Sequence, residues 1–197
     1  KGSFNRMINL KEIAKAKYGQ SFLDKLDEIS DYLEFSRSWL LVIMYYESGI
    51  STNIVNAKSG ATGLIQFMPS TAQRLGTSTQ ALAKMTGTQQ LEYVKKYFEI
   101  IKGKAKQFSD VYLFNFAGAF TEPSKADENY ILSQGDSALY HSKYGKDGIL
   151  TVAEWRKEAD DRYEQATGTR PTSVINKTKN AIQSISKTIK KNVIIIS

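Results

Sequence analysis

The stretch from Trp39 to Gly76 reads WLLVIMYYESGISTNIVNAKSGATGLIQFMPSTAQRLG, and the rest of the chain is best interpreted outward from it. Its first part predicts an apolar helix from about Ser38 to Ser48 that carries a single carboxylic acid, Glu47, near its end. A glycine-rich loop follows, after which Pro69 opens a second short helix and Gly76 closes it. The stretch therefore predicts a helix, a loop and a helix, with one acid at the first junction.

Glu47 lies on or beside the apolar face of its helix. It follows Ile43 by four residues and Met44 by three, and both spacings bring side chains to the same face. A carboxyl group buried there would hold its proton more tightly than an exposed one, which is what a general acid requires. The alternative is a residue that points to solvent at the helix end, and position alone leaves both interpretations open.

After the pair Glu47-Ser48 and a spacer, residues 60–72 read GATGLIQFMPSTA. This combination resembles the signature of the soluble lytic transglycosylase domain, a relative of goose-type lysozyme: Glu-Ser, a short spacer, then Gly-Ala-x-Gly-Leu-Met-Gln-x-Met-Pro-x-Thr-Ala. The chain departs from that pattern by Ile65 in place of the usual methionine and by about one extra spacer residue. The wording SGATGLIQFMPSTA is closer still to phage-borne members. So many fixed residue types make a far more specific signal than a lone glycine motif.

The resemblance implies an all-α, lysozyme-like fold of roughly eight helices around a catalytic cleft with Glu47 at its floor, and no stretch alternates long enough to predict a substantial sheet. It also implies cleavage of the β-1,4 bond between N-acetylmuramic acid and N-acetylglucosamine in peptidoglycan. Glycosidases ordinarily use two carboxylates, but residues 48–91 contain no Asp or Glu. The implied reaction therefore uses one: Glu47 protonates the glycosidic oxygen, the substrate's N-acetyl group stabilises C1, and Glu47 takes the C6 hydroxyl proton as a 1,6-anhydro ring closes.

The same resemblance implies four substrate-binding residues. Gln66 lines the cleft by hydrogen bonding, Met68 packs on a sugar, and Asn56, nine residues after the acid, contacts the N-acetyl group. Cellular members carry an Ala-Tyr-Asn-Ala-Gly turn whose tyrosine reaches toward the acid, whereas the segment Phe114–Gly118 reads FNFAG here. Either Tyr112 fills that role from a turn earlier or the site lacks the contact. No metal or organic cofactor is implied.

Composition excludes several other kinds of site. The absence of cysteine excludes disulfides, thiolate zinc sites and cysteine nucleophiles. His141 is the single histidine, and no Gly-x-Ser-x-Gly turn accompanies it, so it is interpreted as a solvated loop residue rather than part of a triad. Lys143–Glu154 has the cadence of an EF-hand loop, but lysine and glycine replace its first and third acidic ligands. A glycine turn followed by a capping box from Thr151 to Glu154 is the simpler interpretation.

The chain is predicted to have three parts: an N-terminal extension at 1–20, a lytic transglycosylase (lysozyme-like) domain at 21–167, and a linker with a basic amphipathic tail at 168–197. The formal charge of +7 is concentrated in the tail, which has six Lys and Arg residues and no acid after residue 166. Isoleucines at 175, 182 and 189 predict a basic amphipathic C-terminal helix. We expect this helix to contact other virion or cell-envelope proteins or an anionic surface. It has no aromatic residues for base stacking, so no specific nucleic acid is expected.

Two other functions remain open at the level of sequence. A hydrolytic muramidase would need a second carboxylate, for which Glu92, Glu99 and Asp110 are the candidates. A non-enzymatic virion structural or interaction protein would keep the fold while the basic tail makes the contacts. The expected substrate is the glycan strands of peptidoglycan, and the expected location is a phage virion or the bacterial cell envelope. The chain shows no signal-peptide pattern and no apolar run long enough for a transmembrane segment.

Overall fold

A computed structural model describes residues 8–139, 143–145 and 147–173. Within these residues the chain forms nine α-helices, two short 3-10 turns and one two-stranded sheet, which confirms the predicted all-α class. The elements are, in order, α1 Leu10–Tyr18, α2 Gln20–Leu33, α3 Arg37–Ser48, α4 Pro69–Arg74, α5 Thr79–Leu82, α6 Gly87–Phe98, α7 Phe108–Ala117, β1 Ile131–Gln134, α8 Asp136–Leu139, β2 Ile149–Thr151 and α9 Val152–Thr167, with 3-10 turns at Glu99–Ile101 and Pro123–Lys125.

The central helix is α3, and it carries Glu47. Every side chain from Trp39 to Met44 is buried, and a helix that is apolar on all faces belongs in a core. It contacts α1, α2, α7 and α9. Helix α3 is therefore packed among other helices, and the residues of its last turn, 45–48, are only partly exposed.

The first two helices pack against this centre. Helix α2 packs on α3, and it also contacts α1 and α6. Leu10 and Ala14 of α1 are buried. The Tyr18 hydroxyl donates to the carbonyl of Ile50 at 3.2 Å and accepts from the backbone N–H of Thr52 at 3.0 Å. The described part of the predicted N-terminal extension is thus packed against the domain.

The sheet is a small addition that the sequence pattern does not predict. Strands β1 and β2 are antiparallel, with Gln134 opposite Ile149 and Ile131 opposite Thr151. Strands of four and three residues are too short to show an alternating pattern. The capping box at Thr151 and Glu154 is confirmed, with both of its reciprocal hydrogen bonds present, so α9 starts directly at the end of β2.

The end of α9 leads into the predicted linker. Gly168 closes the helix in the left-handed conformation, and Arg170 forms ion pairs with Asp161 and Glu164 at 3.0 and 2.7 Å. His141 and the predicted tail helix from residue 174 onward lie outside the described residues. Across the described ranges, none of the helices has both the length and the hydropathy that crossing a bilayer requires.

Candidate active site

The way in which α3 ends places Glu47 beside a cavity. Gly49 takes a left-handed conformation with φ of 61°, and its N–H donates to the Tyr45 carbonyl at 2.8 Å. The N–H of Ile50 donates to the Met44 carbonyl at 2.9 Å. This helix stop turns the chain sharply away, and Glu47 is left half-buried at the wall of a cavity.

Ser48 fastens the following loop to the helix. Its hydroxyl lies 3.0 Å from the carbonyl oxygen of Leu64 and 3.1 Å from that of Met44, and it accepts from the N–H of Ser51 at 3.0 Å. The serine of the Glu-Ser pair therefore ties the acid-bearing helix to the loop of residues 49–68.

A buried glutamine anchors the same loop from the other side. Gln90 is fully buried on α6, where its Oε1 accepts from the Leu64 N–H at 2.6 Å and its Nε2 donates to the carbonyls of Thr52 and Leu82 at 3.0 and 2.8 Å. A Cβ at Gly63 would collide with this amide. Sequence analysis missed Gln90 because nothing in a polar helix start distinguishes it from an exposed glutamine.

A cavity of about 310 Å³, called the Glu47 cavity below, lies between this loop and α7. Its lining residues are Glu47, Asn56, Ala61, Ile65, Gln66, Met68, Asn115 and Phe116. Three of the four predicted substrate-binding residues therefore meet the predicted acid at one site. Glu47 is the single carboxyl group among these lining residues. Asn115 and Phe116, which sequence analysis did not assign to the site, form the wall that α7 contributes.

The two amides of the loop also hold its shape. Asn56 Oδ1 accepts from the N–H groups of Lys58 and Ser59 at 3.0 and 3.1 Å. Gln66 has a positive φ of 56°, and its Nε2 donates to the carbonyls of Ile54 and Gly63, each at 3.2 Å. Met68 differs in that it is 45% exposed, so its thioether is available to pack on a ligand.

Phe116 gives the α7 wall an aromatic surface. Its ring stacks on the indole of Trp155, with centroids 4.0 Å apart and an angle of 22° between the planes. Trp155 itself is buried in α9, while Phe116 remains 40% exposed. The Phe116 ring is therefore held in the cavity wall by its stacking on Trp155.

Tyr112 occupies a different place from the predicted one. It is fully buried, which leaves no surface for a sugar, and it does not line the Glu47 cavity. Its hydroxyl instead lies beside the carboxyl group of Glu47, whose pKa it lowers through hydrogen bonding. Of the two alternatives for the tyrosine contact, this placement favours the one in which Tyr112 reaches toward the acid from a turn earlier, while its burial corrects its assignment as a substrate contact.

Burial raises the pKa of Glu47 above its ordinary value of 4.5. The hydrogen bond from Tyr112 and the positive charge of Arg162 act in the opposite direction but do not cancel the effect of burial. Burial also raises the pKa of Tyr97, which faces the same region, to about 12. Glu47 therefore holds its proton at higher pH than an exposed glutamate, as a general acid must.

Arg162 is the second residue that sequence analysis missed. From α9 its Nη1 donates to the Tyr112 hydroxyl at 2.9 Å, and its Nη2 donates to Glu158 Oε1 at 2.5 Å. The same spacing that marks Glu47 could have identified Arg162. It follows Trp155 by seven residues and Ala159 by three, so a charged residue interrupts the buried stripe of its helix.

The three carboxylates considered for a hydrolase are engaged elsewhere. Glu92 pairs with Lys25 at 2.5 Å, and Glu99 accepts from the Tyr32 hydroxyl. Asp110 is buried and accepts from Arg156 at 2.5 Å. None of the three lines the Glu47 cavity.

Two further observations concern other possible sites. A larger cavity of about 430 Å³ lies where the starts of α1 and α3 meet Thr167, and no acidic residue lines it. In the part of the chain that the structure describes, no group of three or more His, Cys, Asp or Glu is arranged to hold a metal ion.

Residues 27–100 match the family model described as the transglycosylase SLT domain. This segment runs from α2 to the end of α6 and includes Glu47, Ser48 and the loop that forms one wall of the Glu47 cavity. The wall from α7 and the Tyr112–Arg162 contact lie beyond the matched segment. A search of the curated proteins finds no match to the chain.

Proposed function

We propose that the protein cleaves the β-1,4 bond between N-acetylmuramic acid and N-acetylglucosamine in peptidoglycan, on the premise that residues 27–100 belong to a lytic transglycosylase domain of the lysozyme-like superfamily. The product has a 1,6-anhydro-muramic acid end. The observation that carries this proposal is one carboxyl group of raised pKa, Glu47, among the residues that line a cavity walled by the signature loop.

The reaction needs one proton carrier. Protonated Glu47 gives its proton to the glycosidic oxygen as the bond from that oxygen to C1 breaks, and the carbonyl oxygen of the substrate's N-acetyl group bonds to C1. The carboxylate of Glu47 then takes the proton of the C6 hydroxyl, whose oxygen displaces the acetyl oxygen from C1. Glu47 ends the cycle protonated, as it began, and no water is consumed.

The hydrolytic muramidase is the less favoured alternative. An inverting hydrolase places its two carboxyl groups on opposite sides of the scissile bond, about 6.5–9.5 Å apart. Glu92, Glu99 and Asp110 are bound to other partners, and Glu158, which pairs with Arg162, does not line the Glu47 cavity. Glu92→Gln and Glu99→Gln should each keep most of the activity, whereas the loss of a catalytic base would lower it by about 10²–10⁴-fold.

We also propose a phage-borne role in degrading the bacterial cell wall. Its support is the wording of residues 59–72, SGATGLIQFMPSTA, which resembles phage-borne members of the family. Detection of the chain in purified virions by mass spectrometry would support this location, and its presence only in the host envelope would contradict it.

Zymography on purified peptidoglycan tests the proposed function. The wild-type chain should clear the gel, while Glu47→Gln should not, because the amide keeps the volume of the side chain but cannot carry a proton. Asn53→Ala, on the same loop but outside the cavity lining, serves as the control and should clear normally. Absence of clearing by the folded wild-type chain would favour the non-enzymatic structural protein.

A further inference from the structure

A partly buried arginine lies behind the catalytic acid. Arg162 enters the region from α9, and its guanidinium lies 5.5 Å from the ring of Trp155 and 5.4 Å from that of Tyr46. Aromatic faces exclude water and favour a cation. Each terminal nitrogen of the guanidinium donates a hydrogen bond, Nη1 to the Tyr112 hydroxyl and Nη2 to Glu158.

The contact between Arg162 and Tyr112 fixes the direction of the next hydrogen bond. A guanidinium can only donate, so the Tyr112 oxygen must accept from it. The phenol has one proton of its own, and its remaining partner is the carboxyl group of Glu47. The Tyr112 proton is therefore available to the Glu47 carboxyl group, whose pKa the phenol lowers, and the chain of donors runs from Arg162 through Tyr112 toward the acid.

Glu158 explains why this cation does not simply pair with Glu47. The Glu158 side chain, 12% exposed, takes one arm of Arg162 at 2.5 Å, so the positive charge is partly balanced before it acts on the acid. A direct ion pair would hold Glu47 ionised, which would remove the proton that the reaction needs first. The indirect contact lets the acid keep its proton and still favours the anion once that proton has left.

We propose that Arg162 is a positioning residue for the reaction: acting through the Tyr112 hydroxyl, it orients the carboxyl group of Glu47 and stabilises its ionised form between the two proton transfers. This inference rests on the proposed function. It assigns a role to α9, which lies outside the segment that the family comparison covers.

The groups that face Glu47 define what a substitution would change. They are Tyr112 on α7, Tyr97 on α6, and Arg162 with its partner Glu158 on α9. Among the described residues, Arg162 is the one cation whose charge shifts the pKa of Glu47. Since its charge lowers the pKa of Glu47, Arg162→Gln should raise that pKa, and activity should persist to higher pH before the proton is lost.

The first experiment titrates Glu47 directly by carbon-13 NMR of its carboxyl group, in the wild type and in Arg162→Gln. We expect the titration midpoint to move to higher pH in the variant. Arg162→Lys, which keeps the charge but not the two-armed geometry, should restore most of the midpoint. Arg170→Gln removes an equal charge from ion pairs with Asp161 and Glu164, and it should leave the midpoint unchanged.

The second experiment is a double-mutant cycle on kcat. Arg162→Gln alone should lower kcat by about tenfold to a hundredfold through misplacement of the acid, with little change in KM. In the background of Tyr112→Phe, which lacks the hydroxyl, the same substitution should cost less than about twofold more, because residues that act through one another are not additive.

An unchanged NMR midpoint in folded Arg162→Gln, or full additivity with Tyr112→Phe, would overturn the positioning role. The NMR arm needs no turnover, so it separates this inference from the proposed function. An inactive wild type with a midpoint that moves as expected would refute the function and leave the electrostatic coupling intact. Active Glu47→Gln would refute the function whatever the midpoint does.

Discussion

The Ser48 hydroxyl lies 3.0 Å from the carbonyl oxygen of Leu64, so the residue next to the acid holds the loop that forms the opposite wall of the Glu47 cavity. The distance between the acid and this wall depends on a contact between residues sixteen positions apart in the chain. The Glu-Ser pair of the signature is therefore a structural unit: one residue carries the proton and the other fixes the wall.

Ser48→Ala should lower the free energy of unfolding by about 1 kcal/mol, the usual net value of a hydrogen bond. Its kcat/KM should fall by more than the small loss of folded protein explains, because Gln66 and Met68 lose their fixed distance from Glu47. Chemical denaturation and turbidity assays check the two effects. Ser51→Ala is the control, since it keeps the backbone N–H that bonds to Ser48. Equal losses of activity in both variants would contradict the role of the Ser48 hydroxyl in holding the loop.

Glu47→Gln should make the protein more stable at neutral pH while it abolishes activity. An acid whose pKa is raised by folding adds stability below its ordinary pKa of 4.5 and loses it as pH rises through the folded-state pKa. The advantage of the variant should therefore be larger at about pH 7 than at about pH 4, as thermal unfolding at both values would show.

The control for that comparison is Glu28→Gln, at a side chain that is 62% exposed and paired with Lys25. It should change stability by less than about 1 kcal/mol at either pH. A stability difference between Glu47→Gln and wild type that is the same at both pH values would mean that burial does not perturb Glu47.

Gly63→Ala should be more destabilising than Gly76→Ala, although both glycines have similar positive φ angles of 83° and 79°. A Cβ at Gly76 meets nothing within 4 Å, whereas a Cβ at Gly63 collides with the buried amide of Gln90. The shared backbone cost is about 1 kcal/mol, and the collision should add about 1–3 kcal/mol at Gly63 alone. Equal losses in urea denaturation would show that the Gln90 anchor yields easily.

Removal of the basic tail should leave folding and cleavage of short soluble glycans unchanged and weaken binding to whole cell walls. The cut belongs after Ser173, because Arg170 pairs with Asp161 and Glu164 on α9. Co-sedimentation with walls measures the binding, and added salt should reduce it in the full chain, since exposed charges are screened beyond about 8 Å. Unfolding or loss of soluble activity after the cut would make the tail part of the domain core.

The sequence predicts best what is local. Glu47, the loop and its glycines are encoded in one contiguous run, so their arrangement follows from helix stops and turns that the residues themselves dictate. The capping box of α9 is predictable for the same reason. Gln66 and Met68 reach the Glu47 cavity because they lie on that same loop.

The rest depends on helices that are distant in the chain. Burial of Tyr112 follows from the packing of α7 on α9, which no local pattern reveals, and the same packing sets Phe116 on Trp155. Arg162 interrupts an apolar stripe, yet only the fold shows that its partner is the residue beside the acid. The strands are missed because they are shorter than the period that would identify them.

The most direct test of one-carboxylate cleavage by Glu47 is mass spectrometry of muropeptides released from purified peptidoglycan in water labelled with heavy oxygen. One-carboxylate cleavage predicts glycan ends that are one water lighter than those of a hydrolase and that carry no label, because the C6 hydroxyl of the substrate closes the ring. Reducing muramic acid ends that carry the heavy oxygen as the main product would contradict it and establish attack by water.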